Sequence, residues 1–529
     1  MSALTGAGPL LHTSLRHERR SFAPWIALAT LLSTSSVLFY PVIFPNLVDR
    51  LALAVAVGSN PALGLLFGPA FDLSTADGFN AWRSLALAGF LTAIGAIFTV
   101  VRTTRGQEDS GQAELLASGV MGRGTRLATG VGLGLLGALA VGLIAGIATG
   151  LCGGGWESSM LLAATFTATG WMFTGIAAIT AQLGADSRTA SSLAVGTLAV
   201  LFLLRGFAYS HSAPSWTIWA NPLGWMTETR PASGDHWWPL LLALALTVVT
   251  LTIAFALQAR RDFGQGAIPS RPGPARGRVR STWRLALRIN TGPLLTWTIA
   301  FIALGTVFGY FTTSIHDILR EDSAVARVLA AGATTPEELT AAFIVTILSL
   351  VGILAAIPGV QTMLRVRTEE IEDRVEPLLA GAISRPRYYA GNVLIALIAP
   401  TAYTLIAGTA IAWLASGADI GVGFADTLLQ AVVTVPAVWT VVAISIAVIG
   451  AHPSAPIAAW AGVLLSYVLT ILGPTFKLWD SILAISPFWH VPRVTETDPA
   501  WWGLVWISIP TFLFITIGFV GFRRRDLAR

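Results

Sequence analysis

Lysine, cysteine and acidic residues are scarce in this chain of 529 residues, and each scarcity excludes a class of site. Lys477 is the one lysine, and no Gly-x4-Gly-Lys-Ser/Thr motif surrounds it, so the chain has no phosphate-binding loop of its own. Cys152 is the one cysteine, which excludes an intrachain disulfide and a cysteine-based metal site. The 7 histidines are scattered without an HExxH pattern, so no metal site is indicated.

Charge is also scarce, because 12% of the residues are charged and 54% are hydrophobic. A soluble domain carries about 25% charged residues, whereas a membrane-spanning helix needs roughly 20 apolar ones. We therefore predict an all-α polytopic protein of the cell membrane with twelve transmembrane helices. The apolar stretches lie near residues 24–45, 84–101, 128–152, 158–183, 190–208, 239–258, 294–314, 341–364, 389–415, 427–449, 456–473 and 503–522.

None of the 28 acidic residues lies in the middle of a predicted span. Glu157, Asp419 and Asp426 come closest, and each lies beside the end of a span. Ion-coupled transporters usually carry ionisable residues at membrane depth, so this distribution argues against secondary transport and against an intramembrane hydrolase. Arg205 is the one cation inside an apolar run. It is either a snorkelling side chain or a candidate for an outer gate.

Arginine predicts the orientation of the chain in the membrane. Of the 33 basic residues, 25 lie in the terminal segments and in alternate loops, which include 102–127, 260–288 and 365–388. Basic loops remain in the cytoplasm. Both termini are therefore predicted to be cytoplasmic, and the tryptophans near 216–238 and 479–502 are predicted to lie at the outer face.

The sequence divides into two similar halves. A segment rich in proline, glycine and arginine, 264–282, is predicted to be a cytoplasmic linker between transmembrane halves at 1–263 and 283–529. A shift of 262 residues aligns the loop between the second and third spans of each half without a gap. The identical pairs are Arg105/Arg367, Glu108/Glu370, Glu114/Glu376, Leu116/Leu378, Gly119/Gly381, Arg123/Arg385 and Ala128/Ala390.

Two further motifs are repeated in the two halves, in the same order along the chain. Asn-Pro-Leu-Gly-Trp at 221–225 corresponds to Ser-Pro-Phe-Trp at 486–489, and Arg-Arg-Asp recurs at 260–262 and 524–526. Each repeated loop also has apolar residues at helical spacing, with glutamate and arginine on the opposite face. We therefore predict amphipathic cytoplasmic helices at 105–126 and 367–388. Each could lie on lipid headgroups or enter a groove of a protein partner, and the acid-rich polar face favours the protein.

These features resemble the duplicated permeases of ABC exporters of the polyketide-antibiotic (tetronasin-type) family, which occur mainly in actinobacteria. The resemblance implies a type-2 ABC exporter fold of two pseudo-symmetric six-helix halves. It also implies elbow helices, here Leu10–Phe22 and Trp283–Ile289, and coupling helices between the second and third spans. The coupling residues it implies are Arg105, Glu108, Glu114, Arg123, Arg367, Glu370, Glu376 and Arg385.

The resemblance further implies a separate cytoplasmic ABC ATPase, present in two copies, that binds ATP and Mg²⁺, while this chain holds no cofactor. The expected activity is export of bulky amphiphilic compounds by alternating access, which gives antibiotic resistance. The chain departs from the family at Gly206–Tyr209, where an acidic residue often follows the arginine.

Two other functions stay open. The chain could be a membrane scaffold or sensor without transport, or an ion-coupled secondary drug transporter. The substrate and the residues that bind it are unknown, although Phe98, Phe301 and Phe308 lie at a suitable depth.

Overall fold

The regular structure of the described part of the chain is entirely helical. The computed structural model describes residues 5–58, 61–117, 121–210, 213–261, 266–268, 281–320, 336–381, 383–417, 422–472, 479–496 and 498–526. The chain forms two compact units, Met1–Gly273 and Pro274–Arg529. Their boundary falls inside the predicted linker, most of which lies outside the described residues.

The first unit contains α1 to α11. Their bounds are α1 Ala7–Ile43, α2 Leu47–Gly58, α3 Pro61–Phe67, α4 Ala76–Val101, α5 Gln112–Ala117, α6 Thr125–Leu151, α7 Trp156–Leu183, α8 Ser187–Ser210, α9 Ser215–Trp219, α10 Pro222–Thr227 and α11 Pro239–Arg260. A π-helical turn at Arg102–Gly106 and one further turn, Gln107–Asp109, extend α4.

The second unit contains α12 to α19. Their bounds are α12 Thr282–Arg320, α13 Pro336–Ile371, α14 Glu376–Leu379, α15 Arg385–Ser416, α16 Phe424–Ala451, α17 Ala461–Tyr467, α18 Asp480–Leu483 and α19 Trp502–Arg524. A 3₁₀ turn at Pro456–Trp460 precedes α17, a π-helical turn at Val468–Leu472 follows it, and a 3₁₀ turn at Pro487–His490 follows α18.

Eleven helices in the described residues are long and apolar enough to cross a membrane. The sequence predicted twelve, and the difference lies at 456–473. There the apolar stretch is shorter, Pro456–Ile471, and it combines 3₁₀, α and π turns. At 1.5 Å per residue an α-helix needs roughly 20 residues to cross about 30 Å of hydrocarbon. The described stretch Pro456–Ile471 falls short of that length, whereas its predicted counterpart in the first unit, α8, has 24 residues and reaches it.

Two predicted boundaries are wrong. The separate elbow helices at Leu10–Phe22 and Trp283–Ile289 do not exist as such, because α1 and α12 run without interruption through them into the first span of each unit. Neither segment contains a glycine or proline that would stop a helix. The structure also adds α2 and α3, in a segment for which the sequence predicts no span.

Small residues let the helices of the first unit approach one another closely. Gly142, Gly146 and Gly150 follow one another at intervals of four along α6 and face Ala163, Ser159 and Trp156 of α7. Because lipid provides no hydrophobic force between spans, close backbone approach and van der Waals contact hold such helices together.

Candidate coupling site

Glu108 is the centre of a buried ion cluster at the end of the first unit where α4 finishes. Its Oε2 accepts a hydrogen bond from Arg105 Nη1 at 2.6 Å, and its Oε1 accepts from Arg126 Nη2 at 2.9 Å and Arg261 Nη2 at 2.8 Å. The Glu108 side chain is 6% exposed and that of Arg105 is 1% exposed. A carboxylate can be buried when its charge is paired and its lone pairs are satisfied, and three guanidinium groups do both here.

The same segment also reaches two other helices. Arg105 Nε donates to the Ala181 carbonyl at the end of α7 at 2.9 Å, where the helix dipole favours a positive charge. Asp109 Oδ2 accepts from the Ser187 amide at the start of α8 at 2.7 Å, where the dipole favours a negative one. Residues 105–109 therefore connect α4 to the ends of α6, α7, α8 and α11.

A corresponding cluster lies at the end of α13 in the second unit. Arg525 Nη2 donates to both carboxylate oxygens of Glu370, at 2.6 and 2.9 Å, and the Glu370 side chain is 1% exposed. Arg525 Nε donates to the Gly450 carbonyl at the end of α16, and Arg385 Nη1 donates to the Arg525 carbonyl at 2.7 Å. Arg367 Nη1 lies 3.8 Å from Glu370.

The structure therefore divides the residues predicted for partner binding into two groups. Glu108 and Glu370 are buried and paired within their own units, whereas Glu114 and Glu376 are exposed and make no ion pair with any residue that the structure describes. The Arg123 side chain is exposed as well, and its carbonyl accepts from Gln258 Nε2.

The prediction that 105–126 and 367–388 each form one continuous helix is wrong in one respect. Residues 105–109 and 367–371 extend α4 and α13, and only α5 and α14 are separate short helices. The helical backbone is interrupted before each short helix. The interruption lies at Gly111, with φ of 74°, before α5 and at Asp373, with φ of 55°, before α14. Left-handed backbone at these positions ends a helix.

The described apolar residues in and beside the short helices pack against the chain itself. Ala113 and its counterpart Val375 are almost fully buried, and Leu378, Leu379 and Ile383 pack against the core of the second unit. Pro377 occupies the first turn of α14, as predicted. Residues 118–120 and 382 of the predicted helices lie outside the described residues.

Sequence reasoning missed Arg126, Arg261 and Arg525 as members of the site. Arg261 and Arg525 are the second arginines of the repeated Arg-Arg-Asp, so a signal for them was present. What the repeat did not reveal is that Arg261 meets Glu108 and Arg525 meets Glu370, because these partners lie 153 and 155 residues apart.

Arg205, the candidate for an outer gate, is 2% exposed and lies between α8 and α3. Its Nη2 donates to the Leu66 carbonyl at 2.7 Å, and its guanidinium lies 4.7 Å from the Phe202 ring centroid. Tyr209, one turn further along α8, donates to Glu228 Oε1 at 2.8 Å.

The remaining sequence features also have definite positions. Phe98 is exposed, whereas Phe301 is buried and stacks on Tyr403 with ring centroids 5.2 Å apart, so Phe301 cannot line a binding cavity in this conformation. Asn221 and Ser486 begin the similar segments 221–225 and 486–489. Each caps a short helix, because its side chain accepts a hydrogen bond from the backbone amide of Leu223 or Phe488, respectively.

Two comparisons with known proteins bear on this arrangement. Residues 16–257 and 279–523 match a family described as the multidrug efflux system permease Rv1217c, C-terminal domain. The chain is 34% identical to the multidrug efflux system permease protein Rv1217c of Mycobacterium tuberculosis (strain ATCC 25618 / H37Rv), over 99% of this chain and 96% of the relative.

Proposed function

Because the chain belongs to the family of multidrug efflux system permeases, we propose that it is the transmembrane subunit of an ATP-driven ABC exporter. It is a multi-pass protein of the cell membrane. It exports bulky amphiphilic compounds by alternating access, with both termini and the two short helices α5 and α14 in the cytoplasm. The name of the relative supports drug efflux, and the absence of a phosphate loop from the sequence supports a separate source of energy.

One observation carries the proposal: each unit presents an exposed glutamate on a short helix beside a buried ion cluster. Glu114 on α5 and Glu376 on α14 are exposed, while Ala113 of α5 is buried and Leu378 and Leu379 of α14 are partly buried against the core of the second unit. In each unit the ion cluster connects the preceding long helix to other spans. A partner that moves the short helix would therefore move the ends of several spans together.

The partner is an ABC ATPase in two copies, which supplies ATP, Mg²⁺ and the catalytic residues. The two matched stretches of sequence, one in each unit, support a duplicated permease with one docking helix per half. The halves dock unequally. The second unit carries Glu369, Glu372 and Asp373 close to Glu376, whereas the first unit has a thinner run of acids close to Glu114.

The test is charge reversal at the exposed glutamates. The chain is co-expressed with ABC ATPases of its own genome, beginning with any encoded beside it, and ATPase co-purification and drug export are measured. We expect Glu376→Lys to abolish both, and Glu114→Lys to weaken both, because loss of one partner of a buried charge pair costs about 2–5 kcal/mol at an interface.

Glu157→Lys is the matched control, since Glu157 is exposed at the start of α7, far along the chain from either short helix. Wild-type binding and export in both Glu114→Lys and Glu376→Lys would show that the docking assignment is wrong. Purified alone, the chain should hydrolyse no ATP, and hydrolysis that survives rigorous purification would contradict a separate ATPase.

The same experiment separates the two alternative functions. A scaffold or sensor would bind the ATPase without substrate-stimulated turnover or export. A secondary transporter would export without any ATPase and would stop when an uncoupler collapses the proton gradient.

A further inference from the structure

Each unit begins with a long helix that exposes two arginines, one turn apart, near its N-terminal end. In α1 they are Arg16 and Arg20, and in α12 they are Arg284 and Arg288; all four side chains are exposed. Residues four apart lie on the same side of a helix, so each pair forms one continuous surface. We call these two pairs the basic faces of α1 and α12.

No acidic side chain balances the basic faces among the residues that the structure describes. None of their four arginines belongs to an ion pair there. Glu18 is the one acidic residue before Asp49, and its carboxylate is paired with Arg102. The sequence has no acidic residue at all from 263 to 316, the stretch that includes the basic face of α12. The positive charges can therefore pair with an anion from outside the chain.

The positions of the basic faces along their helices place them at the surface of the membrane. The span of α1 begins at Arg20, and at about 1.5 Å per residue Arg16 lies about 6 Å beyond it. The span of α12, Thr282–Thr313, has 32 residues and is therefore about 48 Å long, which exceeds about 30 Å of hydrocarbon and reaches into the headgroups. Arg284 and Arg288 lie in its first turns. Long arginine side chains also extend toward this layer.

Exposed apolar side chains accompany the arginines. Trp283 and Leu287, which are 41% and 53% exposed, each directly precede an arginine of α12, and Leu15, 37% exposed, directly precedes Arg16. Cations beside apolar groups suit the boundary between headgroups and acyl chains, where tryptophan is also enriched. The exposed residues around Glu376 are instead rich in acids, which anionic lipid would repel.

Both helices also contact the helix ends that carry the ion clusters. The Thr5 carbonyl, just before α1, accepts from Thr125 Oγ1 of α6 at 2.8 Å, and the Ile289 carbonyl of α12 accepts from Arg365 Nη1 of α13 at 2.8 Å. Thr125 directly precedes a member of one ion cluster, and Arg365 lies two residues before a member of the other. A molecule held at a basic face would therefore support the same helix ends that the ion clusters join.

We propose that the basic faces of α1 and α12 bind the headgroups of anionic phospholipids in the inner leaflet of the cell membrane. Guanidinium groups donate paired hydrogen bonds to phosphate oxygens, and an anionic headgroup adds a net charge that a zwitterionic one lacks. Each arginine near an anionic membrane surface strengthens association about 5-fold. The inference goes beyond the proposed export function and shares with it only the cytoplasmic location of the N-terminus.

The test measures which lipid surrounds the basic face of α12. Leu287→Cys is labelled with the fluorophore bimane in a Cys152→Ser background, and the full chain is reconstituted in vesicles of equal parts phosphatidylglycerol and phosphatidylcholine. Either the anionic or the zwitterionic lipid carries brominated acyl chains, which quench bimane on contact. Both leaflets have the same composition, so the orientation of the inserted chain does not affect the result.

We expect brominated phosphatidylglycerol to quench more strongly than brominated phosphatidylcholine, with an apparent relative association of about 5-fold or more. The preference should fall at high salt, because salt screens exposed charges. The double variant Arg284→Gln and Arg288→Gln should remove it, whereas Arg284→Lys and Arg288→Lys should retain most of it. The same design applies to the basic face of α1, with bimane at Leu15→Cys.

Two matched controls separate the basic faces from general effects of charge. Leu241→Cys is exposed at the start of α11, with no arginine from 231 to 259, and should be quenched equally by the two lipids. Arg374→Gln removes an exposed arginine that is already paired with Glu369 and Glu372, so the preference at Leu287→Cys should not change.

Three results would overturn the proposal. They are equal quenching by the two lipids at Leu287→Cys, which is also the result if the basic faces bind a cytoplasmic protein; a preference that survives the double change to glutamine; and a preference of the same size at Leu241→Cys.

The result is distinguishable from failure of the proposed function, since the vesicles contain neither an ATPase nor a drug. A lipid preference in a chain with which no ATPase associates would leave the basic faces in place while the ATP-driven mechanism falls. ATPase-dependent export by a chain without lipid preference would refute the basic faces alone.

Discussion

Glutamate is rarely buried unless it is paired with a positive charge. The carboxylates of Glu108 and Glu370 are buried, and both are paired with arginine. We expect Glu108→Gln to lower the free energy of unfolding by about 3 kcal/mol, because removal of one partner leaves buried guanidinium groups without a counter-ion. Glu370→Gln should have a similar effect. The measurement is thermal unfolding in detergent, followed by tryptophan fluorescence.

Glu114→Gln and Glu376→Gln are the matched controls, since each exposed glutamate lies six residues after its buried counterpart. Exposed substitutions usually change stability by less than about 0.5 kcal/mol. If all four variants unfold at the wild-type temperature, the buried clusters do not stabilise the units.

Arg205 links α8 to α3 through the Leu66 carbonyl. We expect Arg205→Leu to release this carbonyl, at a cost of about 1–3 kcal/mol, and to loosen the segment around α3. Hydrogen exchange measured by mass spectrometry should then become faster at residues 61–73. Arg188→Leu, at the exposed start of the same helix, should leave exchange there unchanged. Equal exchange in Arg205→Leu and wild type would contradict the linking role.

At the residue scale, the sequence predicted which groups matter better than it predicted what they touch. The internal repeat identified Glu108, Glu370 and the repeated Arg-Arg-Asp motif, because residues that recur at a fixed spacing can be found from the sequence alone. It could not separate buried Glu108 from exposed Glu114, because both fall on the polar face of one predicted helix. Their separation depends on Gly111, where the backbone turns left-handed.

At the scale of elements, close contact between α6 and α7 depends on glycine. A Cβ at Gly142 would lie 2.1 Å from Thr167 Oγ1 and 2.4 Å from the Ala163 carbonyl oxygen. We expect Gly142→Ala to lower the free energy of unfolding by about 1–3 kcal/mol, since the backbone atom cannot move aside.

Gly196→Ala in α8 is the matched control, because a Cβ there meets nothing within 4 Å. Alanine favours a helix over glycine by up to about 1 kcal/mol, so this variant should be neutral or more stable. Equal destabilisation of the two variants would show that the effect does not come from the contact with α7.

The sequence predicted most long helices well, because an apolar run of this length has few alternatives in a membrane. It missed α2 and α3, whose 12 and 7 residues are too short to register as spans. It also predicted a regular span at 456–473, where Pro456 begins a 3₁₀ turn instead. Short and irregular elements depend on tertiary contacts, such as that of Leu66 with Arg205, which periodicity does not contain.

At the scale of the whole molecule, the two units share one arrangement of charge. In each, the loop after the second span is rich in arginine, and the segments 213–238 and 479–502 are rich in tryptophan. The positive-inside rule therefore predicts the same orientation for both units independently, as expected for the two six-span halves that the sequence predicts.

This orientation can be measured by cysteine labelling in intact cells, after Cys152→Ser removes the native thiol. We expect Ser110→Cys and Ser384→Cys to resist a membrane-impermeant maleimide, because both exposed serines lie in arginine-rich cytoplasmic loops. Ser215→Cys and Ser416→Cys, exposed at the opposite ends of their units, should react. All four should react once the cells are opened, which controls for accessibility. Labelling of Ser110→Cys in intact cells would reverse the first unit, and labelling of Ser384→Cys the second. In either case the short helix of that unit could not meet a cytoplasmic ATPase.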